Sequence, residues 1–281
     1  MTERAPARRA RRDVLFVMAH QDDECLLSTR IAREIETGCD VHCVYLTNGE
    51  VPTRGFDGAV RDAECLRVLA RLGVLRRHVY LLGTRHDIKA ETLAERLPEA
   101  FDLLETQTSR LPLQRIYCLA YEGGHPDHDA THLLTAALAL KRGLALRTWQ
   151  VPSYTAFGAS RRLFRLHHPI PRRVRTLTRT LPAGLAIRHA LLFREHRSQW
   201  RTWLGLLPGH LLERVVLRRE RFQALDLSAL GARPHAGPLL YEQRLGTCWE
   251  SFERSTRAFR EQHGLGSSFP PTSARGRRGA E

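Results

Sequence analysis

Five consecutive apolar residues, Val14-Leu15-Phe16-Val17-Met18, lead through Ala19 into a polar run, His20-Gln21-Asp22-Asp23-Glu24. A strand with no polar face must be buried on both sides, the usual condition of a parallel strand between helical layers. The pattern recurs. Val41 to Leu46 ends in Thr47-Asn48-Gly49-Glu50, His78 to Leu82 in Gly83-Thr84-Arg85-His86-Asp87, and Arg115 to Ala120 in Tyr121-Glu122-Gly123-Gly124 and then His125-Pro126-Asp127-His128. Helical spacing fills the gaps. Leu26 to Thr37 stops at Gly38, Asp57 can cap a helix running to Leu72 and closed by Gly73, residues 90–107 and 130–141 read as two more, and Arg147 to Val151 as a fifth strand. Strands alternating with helices predict an α/β fold with a Rossmann-like, mainly parallel sheet flanked by helices. Ligands of such sheets gather at the carboxyl ends of the strands, and four strands here end in polar or ionisable residues.

The second half differs. From Ala159 to Arg221, arginine pairs (161–162, 172–173, 218–219) alternate with Leu, Phe and Trp, and four prolines divide the stretch. It reads as a cap of short amphipathic helices, followed by a closing strand and helix over 239–263. The expected organisation is a core over 13–158, an arginine-rich helical cap and C-terminal extension over 159–265, and disordered tails at 1–12 and 266–281.

Formal net charge is +14, almost all of it from arginine, since Lys89 and Lys141 are the only lysines. That balance fits either a solvated basic surface or an anionic partner. Nucleic acid is not expected, because no recognised motif or stacking platform accompanies the charge. Six cysteines (25, 39, 43, 65, 118, 248) form no CxxC pair and no dense framework, which points to free thiols in a reducing cytoplasm. No stretch is apolar over the ~18 residues of a spanning helix. Location is therefore expected to be cytoplasmic, with a peripheral membrane contact open through the arginine-rich stretch.

Taken singly, His20 could be an ordinary strand-end histidine, Asp22 and Asp23 a helix cap, and His125 to His132 a polar loop. Together, on one predicted rim, they hold what a hydrolytic metal site requires. Three protein ligands leave a position for water, a carboxylate outside the ligand set takes a proton, and a histidine meets a developing oxyanion.

The run Ala19-His20-Gln21-Asp22-Asp23-Glu24 resembles the A-H-P-D-D-E signature of LmbE-like (PIG-L) zinc N-deacetylases. Thr47-Asn48-Gly49-Glu50 resembles their T-x-G-E, Arg61 and Glu64 their R-x-x-E, and His125-Pro126-Asp127-His128 their H-P-D-H. The resemblance covers about residues 13–142. It implies a Rossmann-like fold and a zinc-dependent hydrolase of carbohydrate metabolism that removes an N-acyl group, usually acetyl, from an amino sugar such as N-acetylglucosamine in a glycolipid, glycan or small glycoconjugate. His20, Asp23 and His128 are then the metal ligands, Asp22 the general base and His125 the oxyanion stabiliser, with Glu50, Arg61 and Asp87 as sugar-binding candidates. Glu24 is expected to be structural. Zinc suits two histidines and one aspartate, iron(II) is also compatible, and no organic cofactor is implied. Gln21 stands where the family usually has proline, and Tyr121 receives no role. The alternative from another class is a non-catalytic arginine-rich module that binds anionic glycolipid or nucleic acid.

Overall fold

The structure, a computed structural model, describes residues 12–51, 55, 57–160 and 163–266. The expected tails therefore lie outside the described residues apart from Arg12 and Gly266, as does the Arg161–Arg162 pair.

In chain order the first half runs β1 (Asp13–Met18), α1 (Asp23–Glu36), β2 (Asp40–Tyr45), α2 (Gly58–Leu72), β3 (Val79–Leu81), a short α3 (Leu82–Arg85), α4 (Leu97–Thr108), β4 (Leu113–Leu119), α5 (Pro126–Lys141) and β5 (Thr148–Val151). The second half adds β6 (Tyr154–Thr155), β7 (Arg165–Leu166), β8 (Thr176–Thr180), α6 (Ala183–Ala190), α7 (Trp200–Leu211), β9 (Arg219–Ala224), α8 (Leu240–Arg244) and α9 (Trp249–Gln262). A seven-stranded sheet has the order β3-β2-β1-β4-β5-β9-β8. Its first five strands are parallel, while β9 runs antiparallel to both β5 and β8. All six residues of β1 are buried. Val14, Phe16 and Met18 belong to one core with α1 and α2, and Leu15 and Val17 to another with α4, α5 and α9. Alternation along one doubly buried strand thus supplies both layers. Because β1 lies between β2 and β4, the order reverses beside it, which opens a crevice where β1 and β4 end.

Several elements follow the local chemistry foreseen for them. The Asp57 carboxylate accepts from the N–H groups of Ala59 and Val60 and starts α2, and Gly73 ends it in the left-handed region. Others correct the sequence reading. The helix expected over 90–107 begins only at Leu97, because the Asp127 carboxylate accepts from the N–H groups of Glu91 and Leu93 and holds that stretch as a turn. The helix expected from Ala130 begins at Pro126, with His125 as its cap, so the histidine cluster forms a helix start and not a loop. Proline suits a first helical turn, where its missing N–H has no intrahelical partner.

The arginine-rich stretch is not wholly helical. Thr176–Thr180 and Arg219–Ala224 pair as β8 and β9 and extend the sheet. Their period of two was hidden because arginine stands on both faces: Arg219 and Arg221 alternate with Phe222, while Arg179 shares the face of Leu177 and Phe222. Residues 239–263 contain no closing strand. They form α8 and α9, joined by Glu242, whose carboxylate accepts from the N–H groups of Leu239 and Trp249.

Candidate metal-dependent hydrolase site

The two clusters meet at the β1–β4 crevice. His20 follows β1, Asp22 and Asp23 open α1, and His125 to His128 open α5. Side-chain atoms of His20, Asp23 and His128 that could hold a metal ion all lie within 4.8 Å of one another. All three residues are buried. The His128 Nε2 is 3.1 Å from Asp23 Oδ1, and its Nδ1 has no hydrogen-bond partner. The other Asp23 oxygen, Oδ2, accepts from the N–H groups of Ala19 and His20, both at 2.9 Å, which fixes the carboxylate. Burial alone would push the Asp23 carboxyl up, but the facing His128 and His20 outweigh it and hold it low. His128 is raised in turn, with Asp23 overcoming the effect of burial.

Two further groups also have ligand-type atoms close together. One is His20, His125 and Asp127. There, Asp127 Oδ2 faces His20 Nε2 at 2.8 Å and accepts from the Glu91 N–H at 2.6 Å, while His125 Nδ1 accepts from the Asp127 N–H at 3.2 Å. Those bonds already use the atoms a metal would need. In the other, Glu24, Cys25 and His196, the Glu24 oxygens are taken by His196 Nε2 at 2.6 Å and the Tyr45 hydroxyl at 2.8 Å. The set of His20, Asp23 and His128 fits a divalent ion best, since it combines a borderline-soft donor pair with one carboxylate and leaves a buried ring nitrogen unsatisfied.

Asp22 occupies the position before α1 but makes no side-chain capping bond. Its Oδ1 instead accepts from Arg61 Nη2 at 3.2 Å, and Arg61 Nη1 also donates to the Gly49 carbonyl at 2.8 Å. A cavity of about 400 Å³ opens over this floor. Asp22, Arg61 and His125 line it together with the three ligand-type residues, while Trp203, Leu206 and Arg244 form part of its far wall. Glu50 and Asp87 stand on the same rim outside the lining, and Asp87 accepts from the Asn48 side-chain amide at 3.2 Å.

Sequence reasoning missed the roles of Asp127 and Asp129 and the distant partners of Glu24 and Glu64. Asp127, inside a motif read only for its histidines, orients His20; a ligand's remaining ring N–H usually meets such a carboxylate. The Gly123-Gly124 turn lets two chains approach closely. A Cβ on Gly124 would lie 2.2 Å from the Tyr154 carbonyl oxygen, and one on Gly123 2.6 Å from Leu239 Cδ2. Asp129 anchors this turn by accepting from the N–H groups of Glu122 and Gly123, and burial pushes its carboxyl up to about 7. Last, Glu24 and Glu64 clasp the second half. Glu64 accepts from the Ser198 N–H at 3.0 Å and from its hydroxyl at 2.6 Å, and His196 lies between the two glutamates. The position of Glu64 in an R-x-x-E pattern was the available signal; its partner lies 134 residues away. Gln21 replaces proline's stiffness with bonds from its side-chain amide to the Thr47 carbonyl at 3.0 Å and to Asp62 at 2.8 Å.

The family model described as PIG-L, GlcNAc-PI de-N-acetylase, matches residues 15–139. The chain is 33% identical over 168 residues to a 1D-myo-inositol 2-acetamido-2-deoxy-alpha-D-glucopyranoside deacetylase of Mycobacterium sp. (strain KMS), covering 50% of this chain and 53% of that protein. It is 32% identical over 168 residues to the protein of the same name from Mycolicibacterium gilvum (strain PYR-GCK), covering 57% of it. The chain thus spans about half the length of the curated relatives it matches. Among solved structures, an antimicrobial-reagent pseudoaglycone deacetylase superposes with a TM-score of 0.56 at 18% identity, covering 80% of this chain and 99% of that one. A deacetylase of the teicoplanin biosynthesis pathway gives 0.54 at 15% identity, covering 75% and 96%. Those two likenesses show a shared fold. The sequence match and the paired motifs place the likeness to the PIG-L (LmbE-like) family in residues 15–139.

Proposed function

We propose that the chain is a zinc-dependent N-deacetylase that hydrolyses the amide of an N-acetylated amino sugar. One observation carries the reading: His20, Asp23 and His128 converge within 4.8 Å on the floor of a cavity where Asp22 remains uncommitted to capping. The curated relatives' names, which specify a 2-acetamido sugar, support the substrate class.

His20, Asp23 and His128 would hold the ion. When bound, zinc supplies a Lewis acid and brings the pKa of water towards ~7. Asp22 then accepts a proton from the attacking water and passes it to the departing amine as the C–N bond breaks. Arg61 donates to Asp22 Oδ1 and holds the carboxylate at the cavity. His125 accepts the Asp127 N–H through Nδ1, which puts its ring proton on Nε2. From there it can donate to the carbonyl oxygen as negative charge develops. Arg61 also reaches the sugar, with Glu50 and Asp87 at the outer edge of that subsite. Metal content of the purified protein, followed by acetate release from N-acetylglucosamine conjugates, tests the reading. Protein that retains no divalent ion and releases no acetate from any such conjugate would leave only a binding role.

The organisation we favour keeps 13–158 as the catalytic core and 159–265 as the part that shapes the substrate. Trp200, Leu204, Leu212 and Val216 are exposed at four-residue spacing or its multiple on and just beyond α7, and the exposed Arg201 lies among them. This ridge supports a peripheral contact with an anionic lipid surface beside the cavity mouth, on the cytoplasmic side. No described helix is long and apolar enough to cross a membrane. Co-sedimentation with anionic vesicles should weaken as salt rises, because exposed charge is screened over roughly 8–10 Å. Absence of sedimentation at low salt would remove the membrane contact.

A further inference from the structure

A second concentration of charge lies away from the catalytic rim. Between α1 and the sheet is an open basin of about 480 Å³ lined by Arg12, Arg30, Arg33, Arg115, Arg175 and Arg179. These residues come from the approach to β1, from α1, from β4 and from the region of β8. Register places Arg115 opposite Val14, near the start of β1, so the basin lies towards the amino end of the strands and the catalytic cavity at their carboxyl end. Among the described residues, Glu34 is the only carboxylate lining it. Glu34 is already engaged, accepting from Arg115 Nη1 at 2.7 and 2.8 Å and from the Tyr117 hydroxyl at 2.7 Å.

Arg30 is the decisive residue. It is only 4% exposed, and its Nε is buried without a hydrogen-bond partner. No described carboxylate comes within ion-pair distance of its guanidinium. Its contact is the Phe222 ring, 5.2 Å from the guanidinium carbon, and Arg179 lies over the same ring at 5.3 Å. Arg175 lies over Trp149 at 5.9 Å. A buried guanidinium without an anion keeps most of its desolvation cost, since a ring face replaces little of the lost hydration. Several more like charges on the same walls add repulsion. Both costs fall when an anion with several acceptor oxygens enters, and the planar guanidinium fork matches phosphate geometry.

We propose that this basin is a binding site for a phosphate group carrying two or more negative charges, with Arg30 at its base and Arg175 and Arg179 at its mouth. The group belongs to a small soluble phosphate compound or to a lipid headgroup; the chemistry recognised is the same. This assignment does not depend on the deacetylase reading.

Inorganic pyrophosphate is the probe, titrated calorimetrically into the full chain at fixed ionic strength. A His128→Ala variant serves in parallel to separate this site from the catalytic rim. Saturable binding is expected in both proteins, weakening as sodium chloride rises. Arg30→Met should abolish the binding while leaving the thermal midpoint without ligand unchanged or higher, because it deletes an unpaired buried charge. Arg179→Ser, at an exposed position, should bind roughly tenfold more weakly, the loss expected for one charge-assisted hydrogen bond. If Arg30→Met does not fold, Arg175→Ser and Arg179→Ser carry the test, and unchanged affinity in both overturns the site. Equal affinity in Arg30→Met and the parent, or binding lost in His128→Ala but kept in Arg30→Met, overturns it as well. Vesicles containing phosphatidic acid that compete with pyrophosphate identify a lipid headgroup, and absence of competition identifies a soluble ligand; either result follows only once the site itself binds.

Discussion

Replacing His196 by alanine tests how the second half of the chain is joined to the first. His196 and Glu24 are both fully buried, and their Nε2 and Oε1 atoms are 2.6 Å apart. Removing the imidazole leaves Glu24 with the Tyr45 hydroxyl as its remaining side-chain donor, 2.8 Å away. A buried carboxylate stripped of its cation typically costs about 3–5 kcal/mol. His196→Ala should therefore lower the unfolding free energy by about that amount in urea titrations followed by tryptophan fluorescence. Glu24→Gln should be costly too. The double variant should lose less than the sum, by about 0.5–3 kcal/mol, because once one partner is gone the other has less to lose. The sign with pH is fixed by the direction of the shift. Burial lowers the His196 pKa, but Glu24 outweighs it and the net movement is upward. A raised folded pKa gives stability that is fully present below the unfolded value, about 6.5, and is lost as pH rises through the folded value. The gap between parent and His196→Ala should then be larger at pH 6 than at pH 9. A cost near zero at pH 6, or strict additivity with Glu24→Gln, would refute the clasp.

Two other substitutions examine the supports of the site. Asp127→Asn removes the charge that orients His20 at 2.8 Å, and metal affinity measured by competition with a chromophoric chelator should fall by about 10–100-fold; unchanged affinity would return Asp127 to a purely structural role. Gly124→Ala would set a Cβ 2.2 Å from the Tyr154 carbonyl oxygen, so it should lower thermal stability and rate together, while Gly184→Ala, which meets nothing within 4 Å, should do neither.

Much of the fold was legible because β1 to β4 each carry a compact apolar run ended by polar residues. The candidate site's rim was legible for the same reason: a polar cluster at a strand end announces its own position. The second half hid its strands. Arginine on both faces of β8 and β9 interrupted the alternation and made these segments resemble basic amphipathic helices, and only pairing to β5 reveals their place at the sheet edge. The start of α5 was misplaced because Pro126 was read as part of a loop, although proline is favoured in a first turn. Long-range partners had no local signature at all. Nothing near Glu64 indicates Ser198, nothing near Glu24 indicates His196, and a buried Arg30 cannot be told from an exposed one until Phe222 is seen against it.

The central claim is that Asp22 moves the proton while Asp23 holds the ion, and one paired measurement on Asp22→Asn and Asp23→Asn tests it directly. Metal content and deacetylation rate are determined on the same preparations. Asparagine keeps the shape of aspartate but cannot accept the proton. Asp22→Asn is expected to keep its metal and lose turnover by roughly 10²–10⁴-fold with little change in KM, as for a group that acts in the transition state. Asp23→Asn is expected to lose metal as well as rate. An Asp22→Asn protein that deacetylates at close to the parent rate with metal bound would contradict the account, and one that loses the metal while Asp23→Asn keeps it would show the two roles reversed.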